Sequence, residues 1–249
     1  MIGEPKGLRA GMQSALQFLF PPQCLGCSAP VASDFGLCAD CWRDTPFIAG
    51  PVCDRCGVPL PGAEEGRGDI CDDCHAIARP WARGRAAMLY QGTGRKLVLG
   101  LKHGDRLELA RPAAAWMMRA ARPILTPGMV VAPVPLHWTR LARRRYNQSA
   151  LLSKEVALAA ALDHCPDLLV RARRTASQDG RDREARFLNM SGAIGIHPRR
   201  RRHLAGRPVL LVDDVMTSGA TLAAAADACL GAGAISVSVL ALARVAKDA

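Results

Sequence analysis

The chain has 249 residues, 49% hydrophobic and 4% aromatic, so aliphatic side chains must form the core of one large or two modest domains. Its apolar segment at 16–20 is too short to cross a bilayer and lacks a secretory cleavage pattern, which favours a soluble, cytoplasmic protein without a transmembrane segment. Most of the net charge of +11 lies between residues 140 and 207, which contain fifteen Arg and one Lys but only six acidic residues. Such a surface suits a polyanion, either nucleic acid or a phosphate-rich small molecule.

Four Cys-x-x-Cys pairs follow a short amphipathic segment at 12–20. Each pair can supply half of a tetrahedral zinc shell, whereas a thioredoxin-like redox site normally uses one pair. The spacing predicts two closed, structural zinc sites made from successive pairs, although a cross-braced order that joins the first pair to the third stays open. The predicted ligands are Cys24, Cys27, Cys38 and Cys41 in the first site, and Cys53, Cys56, Cys71 and Cys74 in the second.

After residue 80 the pattern changes to apolar strands that alternate with helices, which is typical of an α/β fold with a mainly parallel sheet and flanking helices. We therefore predict a zinc-binding N-terminal domain over 1–80 and an α/β domain over 81–249. The four-arginine run at 199–202 is expected to be an exposed loop. The predicted strands are 86–90, 129–132, 209–212 and 236–242, and the predicted helices lie near 96–101, 107–122, 151–162 and 222–230.

Two adjacent carboxylates, Asp213 and Asp214, end the apolar strand 209–212 and precede a turn of hydroxyls and glycine. A helix that begins at this turn would offer free N–H groups and a favourable dipole to a phosphate. The acids could instead hold Mg²⁺ in a phosphoryl-transfer site, or the turn could have no special role. No nucleoside triphosphate motif of the Gly-x-x-x-x-Gly-Lys-Ser/Thr type is present. The spacing of acids and turn favours a ribose 5-phosphate.

The stretch 209–221, VLLVDDVMTSGAT, resembles the phosphoribosyl pyrophosphate (PRPP) signature of type I phosphoribosyltransferases. Further motifs, including Lys102-His-Gly-Asp105, Pro133-Val-Pro135-Leu136 and Arg144-Arg-Tyr-Asn-Gln148, occur in the order found in the ComF family. That family combines a double zinc ribbon with a type I phosphoribosyltransferase-like domain. It is associated with competence and DNA uptake, and is often labelled amidophosphoribosyltransferase-like.

The resemblance implies roles for individual residues. Asp213 and Asp214 would be the catalytic residues and would hold the ribose hydroxyls. The loop after them would wrap the 5-phosphate. A second group would face the pyrophosphate, and a third would belong to a lid. The PRPP loop is Val215, Met216, Thr217, Ser218, Gly219, Ala220 and Thr221; the pyrophosphate side is Lys102, Pro133, Val134, Pro135, Arg144, Asn147 and Gln148; the lid residues are Gln178, Arg186 and Asn189.

The implied function is Mg²⁺-dependent transfer of a phosphoribosyl group from PRPP to an unknown acceptor, linked to competence and the DNA-uptake machinery. The alternative is a non-catalytic adaptor that senses PRPP or a nucleotide and assists the import of single-stranded DNA. The basic half of the chain favours DNA contact, but the shortage of aromatic residues argues against a stacking platform. We therefore expect contact with single-stranded DNA to be weak and salt-dependent.

Overall fold

A five-stranded parallel sheet organises the part of the chain that this computed structural model describes, which is residues 21–62, 68–136, 146–171, 190 and 192–246. The strands lie in the order β1-β7-β6-β2-β3. A separate antiparallel pair, β4 and β5, lies outside this sheet. The strands are β1 (Arg83–Leu89), β2 (Val130–Pro133), β3 (Asp163–His164), β4 (Leu169–Arg171), β5 (Ile194–Ile196), β6 (Pro208–Met216) and β7 (Ser236–Arg244).

Helices connect the strands of the main sheet, as parallel pairing requires. Two further short helices each begin directly after a cysteine of the N-terminal region. No helix among the described residues is long and apolar enough to cross a membrane. The helices are α1 (Ala39–Arg43), α2 (Asp72–Ala76), α3 (Gly92–His103), α4 (Ala110–Ala121), α5 (Gln148–Ala160), α6 (Arg201–Leu204) and α7 (Ala220–Gly231).

Both faces of the sheet are covered, and successive residues of β6 alternate between them. Val209 and Leu211 pack with α7 and the β4–β5 pair, whereas Leu210 and Val212 pack with α3, α4 and α5. All four side chains are 0% exposed. A strand buried on both faces reads as a continuous apolar run, and the sequence 209–212 has that form. The predicted α/β architecture is confirmed.

The central strands extend further than the sequence indicates. β6 continues through both acids to Met216 because β7 pairs with it as far as Arg244. Strand pairing therefore holds Asp213 opposite Ala241, where the sequence placed the start of a loop. The run 199–202 is exposed for the most part, but the prediction of a loop is wrong. Its residues form a 3-10 turn, Pro198–Arg200, and the start of α6.

The sequence patterns missed β3, β4 and β5, which have two or three residues each. Strands that short contain no complete period of alternation, so their sequences carry no usable signal. Their pairing depends on neighbours that are distant in sequence. For example, β3 forms a parallel pair with β2.

The second cysteine segment packs directly on the first strand of the sheet. Asp54 accepts hydrogen bonds from Arg83 at 3.0 Å and from Arg85 at 2.6 Å, both on β1. Cys53 and Cys56 belong to the same buried cluster as the sheet residues Val239 and Ala241. The predicted domain boundary at residue 80 stays a prediction. The segment that contains Cys53 and Cys56 nevertheless shares its hydrophobic core with the sheet.

We expect Gly84→Ala to destabilise the protein by about 1–3 kcal/mol, because it would overpack this contact. A Cβ atom at Gly84 would lie 2.4 Å from the backbone oxygen of Arg55 and 2.9 Å from Val239. Gly195, also on a strand, has nothing within 4 Å of such an atom, so Gly195→Ala is the matched control. Urea unfolding curves measure both changes. Equal stability of the two variants would contradict the close approach.

Candidate functional site

The eight predicted zinc ligands form two clusters of four, and within each cluster the Sγ atoms lie within 4.8 Å of one another. The pairs combine sequentially, as predicted, and not in cross-braced order: Cys24, Cys27, Cys38 and Cys41 form the first cluster, and Cys53, Cys56, Cys71 and Cys74 form the second.

The sulfur spacing in both clusters fits a tetrahedral zinc ion. The Cys27 and Cys38 Sγ atoms are 3.7 Å apart, and so are those of Cys56 and Cys71. Four thiolates at about 2.3 Å from zinc would be separated by about 3.8 Å. In the first cluster, the Cys38 backbone N–H also donates to Cys24 Sγ at 3.2 Å. Such donors stabilise thiolates. Each cluster supplies four ligands, so zinc in either one would be structural.

The acidic pair lies at the carboxyl end of β6, where open parallel sheets bind ligands. Ser149, near the N-terminus of α5, donates its hydroxyl to Asp213 Oδ1 at 2.8 Å. The Lys102 ammonium lies 3.2 Å from Asp214 Oδ1, near the end of α3. Three separate elements therefore meet at the two carboxylates. The sequence placed Lys102 on the pyrophosphate side, whereas the structure pairs it with an acid.

Two causes raise the pKa of Asp213 to about 7: burial, which is the larger, and the neighbouring charge of Asp214. The hydrogen bond from Ser149 and the charge of Lys102 oppose this rise. Asp213 is half-buried and Asp214 is 8% exposed, so both carboxylates are poorly hydrated, and their charges repel each other. A site of this kind favours a ligand that donates hydrogen bonds or brings positive charge.

The turn after the acids leads directly into α7. Gly219 precedes this helix with a φ of +82°, a left-handed conformation that glycine adopts without strain. Ser218 Oγ accepts a hydrogen bond from the Ala220 N–H at 3.4 Å. The other N–H groups of the first turn have no acceptor within the helix, so they are available to an anion. Thr217 is exposed beside them and Thr221 is half-buried.

The segment Pro133-Val134-Pro135 runs alongside the acids. Val134 N–H donates to Val212 O at 2.9 Å, and Asn147 Nδ2 donates to Val134 O at 3.1 Å. Gln148 Nε2 approaches Lys102 O at 3.5 Å. The structure therefore brings Lys102, this segment, Asn147 and Gln148 to the same edge of the sheet as the acids.

Some predicted site residues have other surroundings. Val215 and Met216 direct their side chains into the hydrophobic core, so only their backbone could face a ligand. The remaining four predicted residues, Arg144, Gln178, Arg186 and Asn189, lie outside the described residues.

Three residues at this edge were not found from the sequence. Ser149 contacts Asp213 directly, and its only sequence signal is its position after the Asn147-Gln148 motif. Arg79 and Arg244 donate to backbone oxygens of the turn before α7. No pattern in the sequence distinguishes these two arginines from the many on the surface.

Comparisons with known proteins identify a domain family and several relatives of this chain. Residues 15–80 match the double zinc ribbon domain family. The chain is 32% identical over 234 residues to the DNA utilization protein YhgH of Salmonella typhi, covering 90% of this chain and 97% of the relative. It is 27% identical over 192 residues to competence protein F of Haemophilus influenzae, covering 75% and 81%.

Among solved structures, the glutamine PRPP amidotransferase from B. subtilis, complexed with ADP and GMP, is 18% identical with a TM-score of 0.38. The match covers 57% of this chain and 30% of that one. This similarity is too distant for either fold or function to be transferred.

We expect the free energy of unfolding to fall by about 2–3 kcal/mol more in the wild type than in Asp213→Asn between about pH 5 and about pH 8. The pKa of about 7 in the folded state lies above the ordinary value of 3.8, so the native state retains a proton that the unfolded chain releases. This contribution to stability is fully present below about pH 4 and is lost as the pH rises through 7.

Urea unfolding followed by tryptophan fluorescence at each pH measures this effect. The matched control is Asp40→Asn, since the Asp40 side chain is 89% exposed and should leave the wild-type dependence unchanged. Parallel pH profiles of wild type and Asp213→Asn would contradict a raised pKa at Asp213.

Proposed function

Because this chain belongs to the ComF family, we propose that the edge of the sheet at Asp213 and Asp214 binds PRPP or another ribose 5-phosphate. The observation that carries the proposal is the arrangement of these two poorly hydrated carboxylates directly before a left-handed Gly219 and the N-terminus of α7. The carboxylates can accept hydrogen bonds from two ribose hydroxyls, and the helix N-terminus can hold the 5-phosphate.

The pyrophosphate would lie towards Pro133-Val134-Pro135, with Asn147 and Gln148 beside it. Lys102 is paired with Asp214 at 3.2 Å, and we propose that its ammonium turns to the pyrophosphate when the ligand binds. Arg144 would approach from the adjoining segment, and Gln178, Arg186 and Asn189 would form the lid that excludes water. These roles rest on the family's motifs and on the placement of the described neighbours.

We propose that the site transfers the phosphoribosyl group to an acceptor that remains to be identified. The bond between the anomeric carbon and the pyrophosphate oxygen breaks, and its electron pair leaves with pyrophosphate. A lone pair of the acceptor forms the new bond to that carbon, and an acceptor such as an amine then releases its proton to water. Mg²⁺ that accompanies PRPP would neutralise charge on the leaving group. The buried carboxylates would stabilise positive charge that develops on the sugar ring.

The second candidate function is a non-catalytic adaptor that senses PRPP or a nucleotide and contacts single-stranded DNA during uptake. It is favoured by a groove that Arg199, Arg201 and Arg202 line together with Ala205 and Ala232. All three arginines are exposed. The groove lies beside the start of β6 and the end of α7, so it is at the opposite edge of the sheet from the acidic pair. The relatives named for DNA utilization and competence are consistent with either function.

We expect the double variant Asp213→Asn/Asp214→Asn to weaken binding of PRPP with Mg²⁺ by at least about 100-fold, because each charged acceptor contributes about 1.5–3 kcal/mol. Isothermal titration calorimetry measures the affinity, and release of pyrophosphate with candidate amine acceptors measures transfer. Asp227→Asn, on the exposed side of α7, is the control and should bind as the wild type does. Failure of the wild type to bind PRPP would reject the proposed site and leave the adaptor.

For the adaptor, we expect the triple variant Arg199→Ser/Arg201→Ser/Arg202→Ser to reduce the salt dependence of single-stranded DNA binding. Losing three phosphate contacts should lower the slope of log affinity against log salt by about 2. Fluorescence anisotropy of a labelled oligonucleotide over a salt series gives the slope. Arg95→Ser/Lys96→Ser removes exposed charges from α3 as a control. If both variants lower the slope equally, the groove is not the contact surface.

A further inference from the structure

Two arginines hold the turn between β6 and α7 by its carbonyl groups. Arg244 Nη1 donates to Met216 O at 3.2 Å and to Thr217 O at 2.6 Å. Arg79 Nη1 donates to Ser218 O at 2.7 Å. Three successive carbonyls of the turn therefore accept hydrogen bonds from guanidinium groups.

These contacts determine where the N–H groups of the turn point. In a planar trans peptide, the C=O of one residue and the N–H of the next point in opposite directions. The N–H groups of Thr217 and Ser218 are therefore directed away from Arg244, and that of Gly219 away from Arg79. Successive N–H groups that are free to converge form an anion-binding concavity. The two arginines thus act on the donors that would face a phosphate.

Arg79 lies beside the second cysteine cluster and packs on Trp81. Its side chain lies near the thiol group of Cys74, one of the four ligands. Its guanidinium carbon lies 5.4 Å from the centroid of the Trp81 ring. Trp81 is 1% exposed and donates its indole N–H at 2.5 Å to the carbonyl of Arg55, which lies between Cys53 and Cys56.

The turn packs directly on this assembly. A Cβ atom at Gly219 would lie 3.0 Å from the Trp81 ring and 3.1 Å from Arg79 Nη1. The left-handed glycine at the start of α7 is therefore both a conformational requirement and a close contact with Arg79 and Trp81. A shift of either side chain would act on the backbone of residues 217–221, which form the phosphate loop of the proposed site.

We propose that Arg79 is a positioning residue that couples the second zinc centre to the phosphate loop, so that the N–H groups of 217–219 are preorganised only when that centre is intact. The inference rests on the proposed function for the ligand it names, but the order of the loop can be measured without any ligand. The first cluster makes different contacts, since Leu25 O accepts from Arg106 and Gly26 lies against Thr93 of α3.

The first test is hydrogen–deuterium exchange of the ligand-free protein, comparing wild type with Arg79→Met. Methionine keeps an apolar stem against Trp81 and removes the donors, and all eight zinc ligands remain. We expect exchange over 213–222 to become about 10-fold faster, as the loss of a charged hydrogen bond implies, while α4 is unchanged. Zinc content should remain two per chain. Arg43→Met, whose side chain is 76% exposed, is the control.

Two outcomes would overturn the inference. Unchanged exchange over 213–222 would show that Arg79 does not order the loop. Faster exchange throughout the sheet would show that Arg79 supports the fold in general. Arg79→Lys, which can still reach the Ser218 carbonyl, should recover part of the protection.

The link to the metal has its own measurement. In Co²⁺-substituted protein, the sulfur-to-cobalt absorption bands respond to hydrogen bonds on the thiolates. We expect Arg79→Met to shift these bands without ligand and Arg43→Met to leave them unchanged. Identical spectra for wild type and Arg79→Met would remove the coupling to zinc.

Ligand affinity then separates the inference from the proposed function. If the wild type binds PRPP with Mg²⁺, Arg79→Met should bind it about 10-fold more weakly. If the wild type does not bind, the proposed function fails, and the exchange and cobalt measurements alone decide whether the coupling exists.

Discussion

The pairing of β6 with β7 up to their last residues is the interaction on which the candidate site depends. It keeps Asp213 in register with Ala241 and Met216 with Arg244, so the acids are held by a strand and not by a flexible loop. It also places the buried Arg244, 4% exposed, next to the carbonyls of the turn. A guanidinium is costly to bury without acceptors, and the backbone oxygens of Met216 and Thr217 supply them.

The fold holds the acidic pair in a place where the ionised carboxylates are destabilised. Two adjacent carboxylates are withdrawn from water, and the pKa of Asp213 rises to about 7 as a result. Ser149 and Lys102 compensate only in part. A ligand that offers hydroxyl donors would relieve this cost, because hydrogen bonds to a carboxylate stabilise its ionised form. The electrostatic cost of the two carboxylates in the ligand-free protein and the affinity for a sugar would then have the same origin.

The second cysteine cluster is part of the architecture and not an attachment to it. Cys53 and Cys56 are fully buried in the cluster that includes the sheet, and Asp54 binds two arginines of β1. The first cluster is more exposed, with Cys27 at the surface. The two clusters have the same ligands, so their different positions against the sheet account for the different roles that we infer.

The sequence by itself determined which cysteines are zinc ligands, the α/β class and the position of the acidic pair after an apolar strand, because each depends on residues close together in the chain. Cys-x-x-Cys spacing, apolar runs and a turn after two carboxylates are local patterns. Only the tertiary structure decided the order in which the cysteine pairs combine, the strand ends, the short strands β3, β4 and β5, and the contacts of Ser149, Arg79 and Arg244. Arg79 lies 139 positions before Ser218, whose carbonyl it binds. No local pattern records such a contact, since it exists only once the second cluster has packed on the sheet.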